Sequence, residues 1–248
     1  MSRYDSRTTI FSPEGRLYQI EYAMEAINQV GMGFGITTPE GVLLVSEKRL
    51  QSKLLDLEGS EKLYKIDGHV YCIVAGITAD ANTLVNEARL HAQQFRFKYS
   101  TPVPMENLVQ HIADIKQSYT QFGGLRPYGV SMIFAGYEES LGWRLYQSDP
   151  SGNYGGWKAV AIGQNASTTN SIFRTDWTED LDWEKATTLA LKVVQKSLDT
   201  ASLSPAKIEL AMLKLVDGEP KLELVGDEAL GEACEAYKVA AKENPDKE

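Results

Sequence analysis

The chain has 248 residues, 27.5 kDa, 43% of them hydrophobic and 24% charged. These are the proportions of an ordinary globular protein, and they exclude collagen, coiled-coil rods and wholesale disorder. Lys and Arg number 25 against 34 Asp and Glu, a formal net charge of -9 and a pI near 5.0, the wrong sign for gripping nucleic acid or an anionic membrane.

Residues 1–12 are rich in Ser, Thr, Arg and Tyr and follow no period, which predicts an extended arm. Ser12-Pro13-Glu14-Gly15 then reads as a turn, with Pro at its second position and Gly at its fourth. Leu17, Ile20, Ala23, Met24 and Ile27 share one helical stripe, predicting an amphipathic helix over 17–29. After Gly31 the pattern becomes that of strands: 34–38 and 42–46 flank Pro39-Glu40-Gly41, and 62–66 and 70–74 flank Asp67-Gly68, so two hairpins are expected. Two long helices follow, one with Leu84, Ala88, Ala92 and Phe95 on a face. The other carries Leu108, Ile112, Ile115, Tyr119 and Phe122 beyond the break at Pro102 and Pro104.

The second half repeats this order, with strands at 130–137, 143–147 and 158–162, helices over 166–177 and around 186–198, and strands at 208–215 and 221–224. The Ala- and Glu-rich stretch from Asp227 ends in a charged tail, 241–248. Strand runs separated by paired helices predict two stacked sheets with a helical layer on each outer side. No linker-like composition interrupts them, so one domain over 1–248 is expected: an arm at 1–12, a helix at 17–29, a sandwich at 30–240 and the tail.

Cys72 and Cys234 have neither zinc-site nor disulfide-framework spacing and are expected to be reduced thiols in a cytosolic-type compartment. The N-terminus has no apolar core of a signal peptide, and no apolar run approaches the roughly 18 to 20 residues needed to span a bilayer. Neither secretion nor membrane insertion is expected. Gly31-x-Gly33-x-Gly35 lacks the spacing and context of a dinucleotide loop and is read as packing. Asp149-Pro150-Ser151-Gly152-Asn153 opens like a calcium loop, but Tyr154 stands where that loop needs Gly and Val160 where it needs Glu, so a polar turn is expected. His69, His91 and His111 share no metal-ligand spacing. Tyr22, Tyr119 and Tyr128 read as half-buried aromatics. No cofactor and no metal site is expected.

The run Tyr4-Asp5-Ser6-Arg7-Thr8-Thr9-Ile10-Phe11-Ser12-Pro13-Glu14-Gly15-Arg16-Leu17-Tyr18-Gln19-Ile20-Glu21-Tyr22-Ala23 closely resembles the N-terminal signature of 20S proteasome alpha subunits. The resemblance continues through Gly41-Val42-Leu43-Leu44, Glu61-Lys62, Ala75-Gly76, Tyr119 to Gly124, Arg126 to Ser131 and Asp149 to Tyr154. It implies an α+β fold, the four-layer αββα sandwich of the N-terminal-nucleophile hydrolases. As partners it implies other alpha subunits in a heteroheptameric ring, beta-ring subunits, regulatory particles docking through C-terminal tails, and unfolded polypeptide substrates. The location it implies is cytoplasm and nucleus.

In that family the activity belongs to beta subunits, whose exposed N-terminal threonine is nucleophile and, through its amine, base. The matching position here falls near Gly31, which has no hydroxyl and follows a helix and an arm. Glu47 and Lys62 stand about where a catalytic subunit keeps its acid and its lysine, so the resemblance implies retained partners for absent chemistry. Glu47 is then expected to be structural, for instance in an ion pair with Arg49 or with a ring neighbour. Lys62 also matches the lysine of the pocket that receives the C-terminal carboxylate of a regulatory particle. Tyr4, Asp5, Pro13 and Tyr22 match the gate and its opening cluster, with the arm arginine one place late, at Arg7 behind Ser6. Two other readings stand beside this one: a self-processing hydrolase that exposes Thr37 or Thr38, and a generic assembly scaffold.

Overall fold

The computed structural model describes residues 9–48, 62–198 and 205–243. Helix α1 (Tyr18–Asn28) leads into the hairpin of β1 (Gly33–Thr37) and β2 (Gly41–Glu47), and β3 (Leu63–Asp67) pairs with β4 (Val70–Gly76). Helices α2 (Thr78–Tyr99) and α3 (Met105–Gln121) follow. Then come β5 (Val130–Glu138), β6 (Gly142–Ser148), β7 (Tyr154–Gly156) and β8 (Ala159–Ile162). Helices α4 (Ala166–Asp176) and α5 (Trp183–Leu198), strands β9 (Ile208–Val216) and β10 (Glu219–Leu224), and helix α6 (Asp227–Glu243) complete the order.

The strands form two five-stranded sheets, ordered β10-β9-β2-β1-β8 and β3-β4-β5-β6-β7, with every neighbouring pair antiparallel. Side chains alternate across a strand, and here both faces are covered, so the central strands read as nearly continuous apolar runs. Phe34, Ile36, Leu43 and Val45 face the layer of α4, α5 and α6, where they pack with Phe173, Ala190 and Leu230. Their neighbours Val42 and Leu44 point the other way, with Val160 and Leu213, to meet Tyr71, Ile73, Ile133 and Leu145 of the second sheet. Cys72, Val74, Met132 and Phe134 then meet Leu84, Ala88, Leu108 and Ile112 of α2 and α3. The four layers are therefore helix, sheet, sheet, helix, as the resemblance implied.

The glycines of β1 set how closely the sheets approach. A Cβ on Gly33 would stand 2.7 Å from Ile73 Cγ2, and one on Gly35 2.8 Å from Leu145 Cδ1. Packing, not phosphate binding, explains their spacing.

Several expectations need correction. Phe122 is not on the apolar stripe of α3: it lies just past the last turn and is 61% exposed. Tyr22 is 51% exposed, because on α1 it lies off the face that buries Ile20 and Ile27. Tyr128, by contrast, is buried. The short strand β7 was not foreseen, since its Tyr-Gly-Gly sequence has no apolar alternation. The tight turn of the β3–β4 hairpin is Gly68-His69, one residue later than read, because Asp67 still pairs with Val70.

Candidate functional site

The turn before α1 is closed on itself. Ser12 is buried; its amide donates to Arg16 O at 2.9 Å, its carbonyl accepts from Gly15 N at 2.8 Å, and its Oγ accepts from Arg16 N at 3.1 Å. Pro13 sits at the exposed tip of this loop. The Arg16 guanidinium then forks onto Glu21, donating from Nε to Oε1 at 2.7 Å and from its second nitrogen to Oε2, while lying 5.2 Å over the Tyr18 ring. Tyr18 in turn stacks on Tyr22 at 6.3 Å. A chain of contacts thus runs from the proline turn to Tyr22, which leaves the tyrosine presented at the surface. Tyr4, Asp5 and Arg7 lie outside the described residues.

At the start of β1 the structure brings together the positions that the resemblance pairs with catalytic groups. Glu47 Oε2 accepts from Met32 N at 3.0 Å, and Lys62 Nζ donates to Glu47 O at 2.7 Å. Backbone bonds tie the cluster down: Glu47 N to Met32 O at 2.9 Å, Val74 N to Lys62 O at 3.0 Å, and Gln164 N to Val30 O at 2.9 Å. Glu47 is therefore placed on the backbone beside Gly31; Arg49, its suggested ion-pair partner, lies outside the described residues. The cluster holds a carboxylate and an ammonium, and glycine at 31 supplies no hydroxyl or thiol to it.

Thr37 and Thr38 lie at the other end of β1. Thr38 Oγ1 donates to Gly41 O and accepts from Gly41 N, each at 3.1 Å, so it is built into the hairpin turn. Thr37 is paired with Val42 on one side and donates its amide to Lys158 O at 2.8 Å on the other.

Several polar groups escaped the sequence reading. Asp80, in the first turn of α2, is buried; its carboxylate accepts from both terminal nitrogens of Arg126, at 2.6 and 2.7 Å, and from Gly129 N at 2.9 Å. The Arg126 fork and the Gly129 amide hold the Asp80 carboxyl below the usual carboxylate range, although burial opposes them. This clamp fixes the loop between α3 and β5. Lys116 is fully buried, donating to Ser148 Oγ at 2.8 Å and Val130 O at 3.1 Å. Burial pushes its ammonium down to about 7, against the pull of Asp149 and Cys72. Its spacing of four from Ile112 and eight from Leu108, on the buried stripe of α3, is a signal that could have found it.

The remaining candidates take structural roles. Asp149 Oδ1 accepts from Ser151 N at 2.8 Å and Oγ at 2.5 Å, and Gly152 adopts φ 83°, which makes this segment a polar turn. A Cβ on Gly152 would collide with Ala113 O at 2.6 Å, so the turn lies directly against α3. His91 and His111 stack with ring centroids 4.0 Å apart, His91 Nε2 bonding Asn107 Oδ1 at 2.9 Å, while His69 Nε2 bonds Val103 O at 2.8 Å. Among the described residues no group of His, Cys, Asp or Glu is arranged to hold a metal ion, and no helix is long and apolar enough to cross a membrane. Cys72 and Cys234 are both buried and unbridged, and burial pushes the Cys72 thiol up to about 12, which makes it a poor nucleophile.

The layer order and the cluster at the head of β1 define a sandwich of the N-terminal-nucleophile hydrolase type, built here with a helix ahead of its first strand. The proteasome subunit family model matches residues 31–213, and the N-terminal signature of A-type proteasome subunits matches residues 4–26. The chain belongs to the proteasome subunit family, as one of its alpha subunits. It is similar to the alpha type-4-A proteasome subunit of Arabidopsis thaliana, 58% identical over 214 residues covering 86% of each chain. The alpha type-4 proteasome subunit of Spinacia oleracea is 55% identical over 230 residues, 92% of each chain, and that of Petunia hybrida is 54% identical over 229 residues, 92% of each.

Proposed function

We propose that this chain is a noncatalytic structural and gating subunit in the outer ring of the 20S proteasome. It controls the entry of unfolded polypeptides and docks regulatory particles, in both ubiquitin-dependent and ubiquitin-independent degradation. The observation that carries this reading is glycine at position 31, behind α1 and beside a Glu47–Lys62 pair that has no nucleophile there to serve. The ring neighbours are other alpha subunits, the second layer is a beta ring, and the location is cytoplasmic and nuclear.

In this account Tyr4, Asp5 and Arg7 of the arm meet the arms of neighbouring subunits over the pore, and Pro13 and Tyr22 form the opening cluster. The closed Ser12–Arg16 loop and the Arg16–Tyr18–Tyr22 contacts support it, since a shift of the proline turn would be carried to the tyrosine and the arm together. Several weak interarm hydrogen bonds can break together when a docked activator moves that turn. Deleting residues 2–9 should raise basal peptide hydrolysis by the assembled particle; wild-type hydrolysis in intact particles would count against gating.

Lys62 is the ammonium of the activator-tail pocket. Its bond to the Glu47 carbonyl fixes the side chain at the head of β3, so a docking carboxylate would meet a positioned donor. Lys62→Ala should cost about 1.5 to 3 kcal/mol in docking a peptide that uses this pocket. The alternative of a threonine hydrolase is disfavoured by Thr37, since freeing its amine would remove Phe34 and Ile36, both fully buried, from the core.

A further inference from the structure

Helices α5 and α6 do not close over β9. Between them lies an open groove of about 510 Å³, in the helical layer on the far side of the sandwich from α2 and α3. Met212 of β9 is in its floor, Trp183 and Leu191 of α5 form one wall, and Ala229, Ala233 and Ala236 of α6 form the other. The alanines recur at i, i+4 and i+7, so they share one face of α6, and their short side chains leave the gap. Met212 and Ala233 pack against the core and are still only partly buried. An apolar trough of this kind marks an interaction site.

Its rim is acidic. Glu184 belongs to the lining, and Glu232 is exposed on α6 one turn from Ala229 and Ala236. Among the described residues no cation lies within ion-pairing distance of either. The lysines beside the groove are already engaged. Lys214, which follows Met212 on the same face of β9, bonds Glu223 at 2.7 Å; Lys185 bonds Asp182 at 3.0 Å and Lys238 bonds Glu235 at 2.7 Å.

Backbone chemistry decides the form of the occupant. Strand β9 is hydrogen-bonded to β2 on one side and β10 on the other, and helices satisfy their own amides, so floor and walls offer no free backbone edge. An extended segment laid there would bury N–H and C=O groups without partners, a cost that a helix avoids by bonding internally. The lining runs from Trp183 to Leu191 and from Ala229 to Tyr237, about 12 Å along each helix, which matches roughly two turns of a third.

We propose that this groove receives a basic amphipathic helix of a partner protein. Two apolar residues at i and i+4 sit between α5 and α6, and Lys or Arg on the flanks face Glu184 and Glu232. The inference uses no residue of the proline turn or of the cluster at Gly31, so its fate is independent of the gating account.

The test begins with a high-resolution structure of the native particle containing this chain. If the groove is filled, the expected occupant is a helix with Lys or Arg beside Glu184, and any other occupant would overturn the proposal. If it is open, the particle is photo-crosslinked with a synthetic helical peptide that carries two leucines and a benzophenone on one face between lysine flanks. Labelled residues are mapped by mass spectrometry. Labelling of the α5 and α6 walls that saturates with peptide and weakens with added salt is expected. The half-saturating concentration should rise at least about tenfold in Ala233→Trp, which fills the groove. It should rise several-fold in Glu184→Lys, an exposed position outside the core, and for a peptide with glutamate flanks. Labelling spread over the particle without saturation would overturn the proposal, as would groove labelling unchanged by Glu184→Lys or equal for the two peptides.

Discussion

Replacing Lys116 with methionine should change the sign of its effect on stability with pH. The wild-type ammonium titrates near 7 in the folded chain against 10.5 for an ordinary lysine. Above about pH 10.5 the amine is neutral in both states and contributes no pH dependence. Between there and 7 the unfolded chain binds a proton that the folded chain does not, so stability falls as pH falls, by up to 1.36 kcal/mol per unit. From pH 10 to pH 7 the loss is about 4 kcal/mol; below 7 both states are protonated and the loss levels off. Methionine has a similar unbranched reach and no charge, but it leaves Ser148 Oγ and Val130 O without the Lys116 donor, at a cost of about 1 to 3 kcal/mol. The variant should therefore be less stable than wild type near pH 10 and more stable near pH 7. Urea unfolding of both chains at each pH measures this, and the difference between them cancels the titration of every other group. A stability difference that stays constant from pH 7 to 10 would refute the argument.

Asp80→Asn should lower stability by about 2 kcal/mol, because the Arg126 fork loses its carboxylate while Gly129 keeps an acceptor. The wild-type clamp is present above the unfolded carboxyl pKa and is lost as pH falls through the lower folded value, so the two unfolding curves should converge in acid. Gly41→Ala should cost about 3 kcal/mol or prevent folding, since its Cβ would stand 2.1 Å from Leu213 O and 2.8 Å from the Trp183 ring; thermal unfolding checks it. Lys62→Ala should weaken an activator tail that uses this pocket by the roughly 1.5 to 3 kcal/mol given above, the strength of a charge-assisted hydrogen bond; tail binding and urea unfolding measured on the same variant separate that loss from the stability lost with its bond to the Glu47 carbonyl.

Much of the sandwich was legible because its strands are buried on both faces and its helices on one, so hydrophobic period and length locate them. The hairpin at Pro39–Gly41 and the stripes of α2 and α5 follow directly from that rule. Strand β7 did not, since three residues of Tyr and Gly are held in place by pairing with Tyr146–Ser148 and not by any pattern of their own. Phe122 was misplaced because periodicity carries past a helix end that it cannot see. The Glu47–Lys62 contact was readable only through family resemblance, as the residues are 15 apart and the sequence says nothing of which strands adjoin. The Asp80–Arg126 clamp spans 46 residues and had no signal at all, whereas Lys116 stands on the same helical stripe as Leu108 and Ile112, a signal the sequence reading passed over.

The claim that this alpha subunit is a gate and not a processed hydrolase is tested most directly by the intact mass of the chain taken from its native assembly. The account predicts a mass that retains the residues ahead of Gly31, allowing for loss of Met1 and acetylation. Loss of the segment ahead of Thr37 or Thr38 would contradict it, and would make one of those threonines the nucleophile.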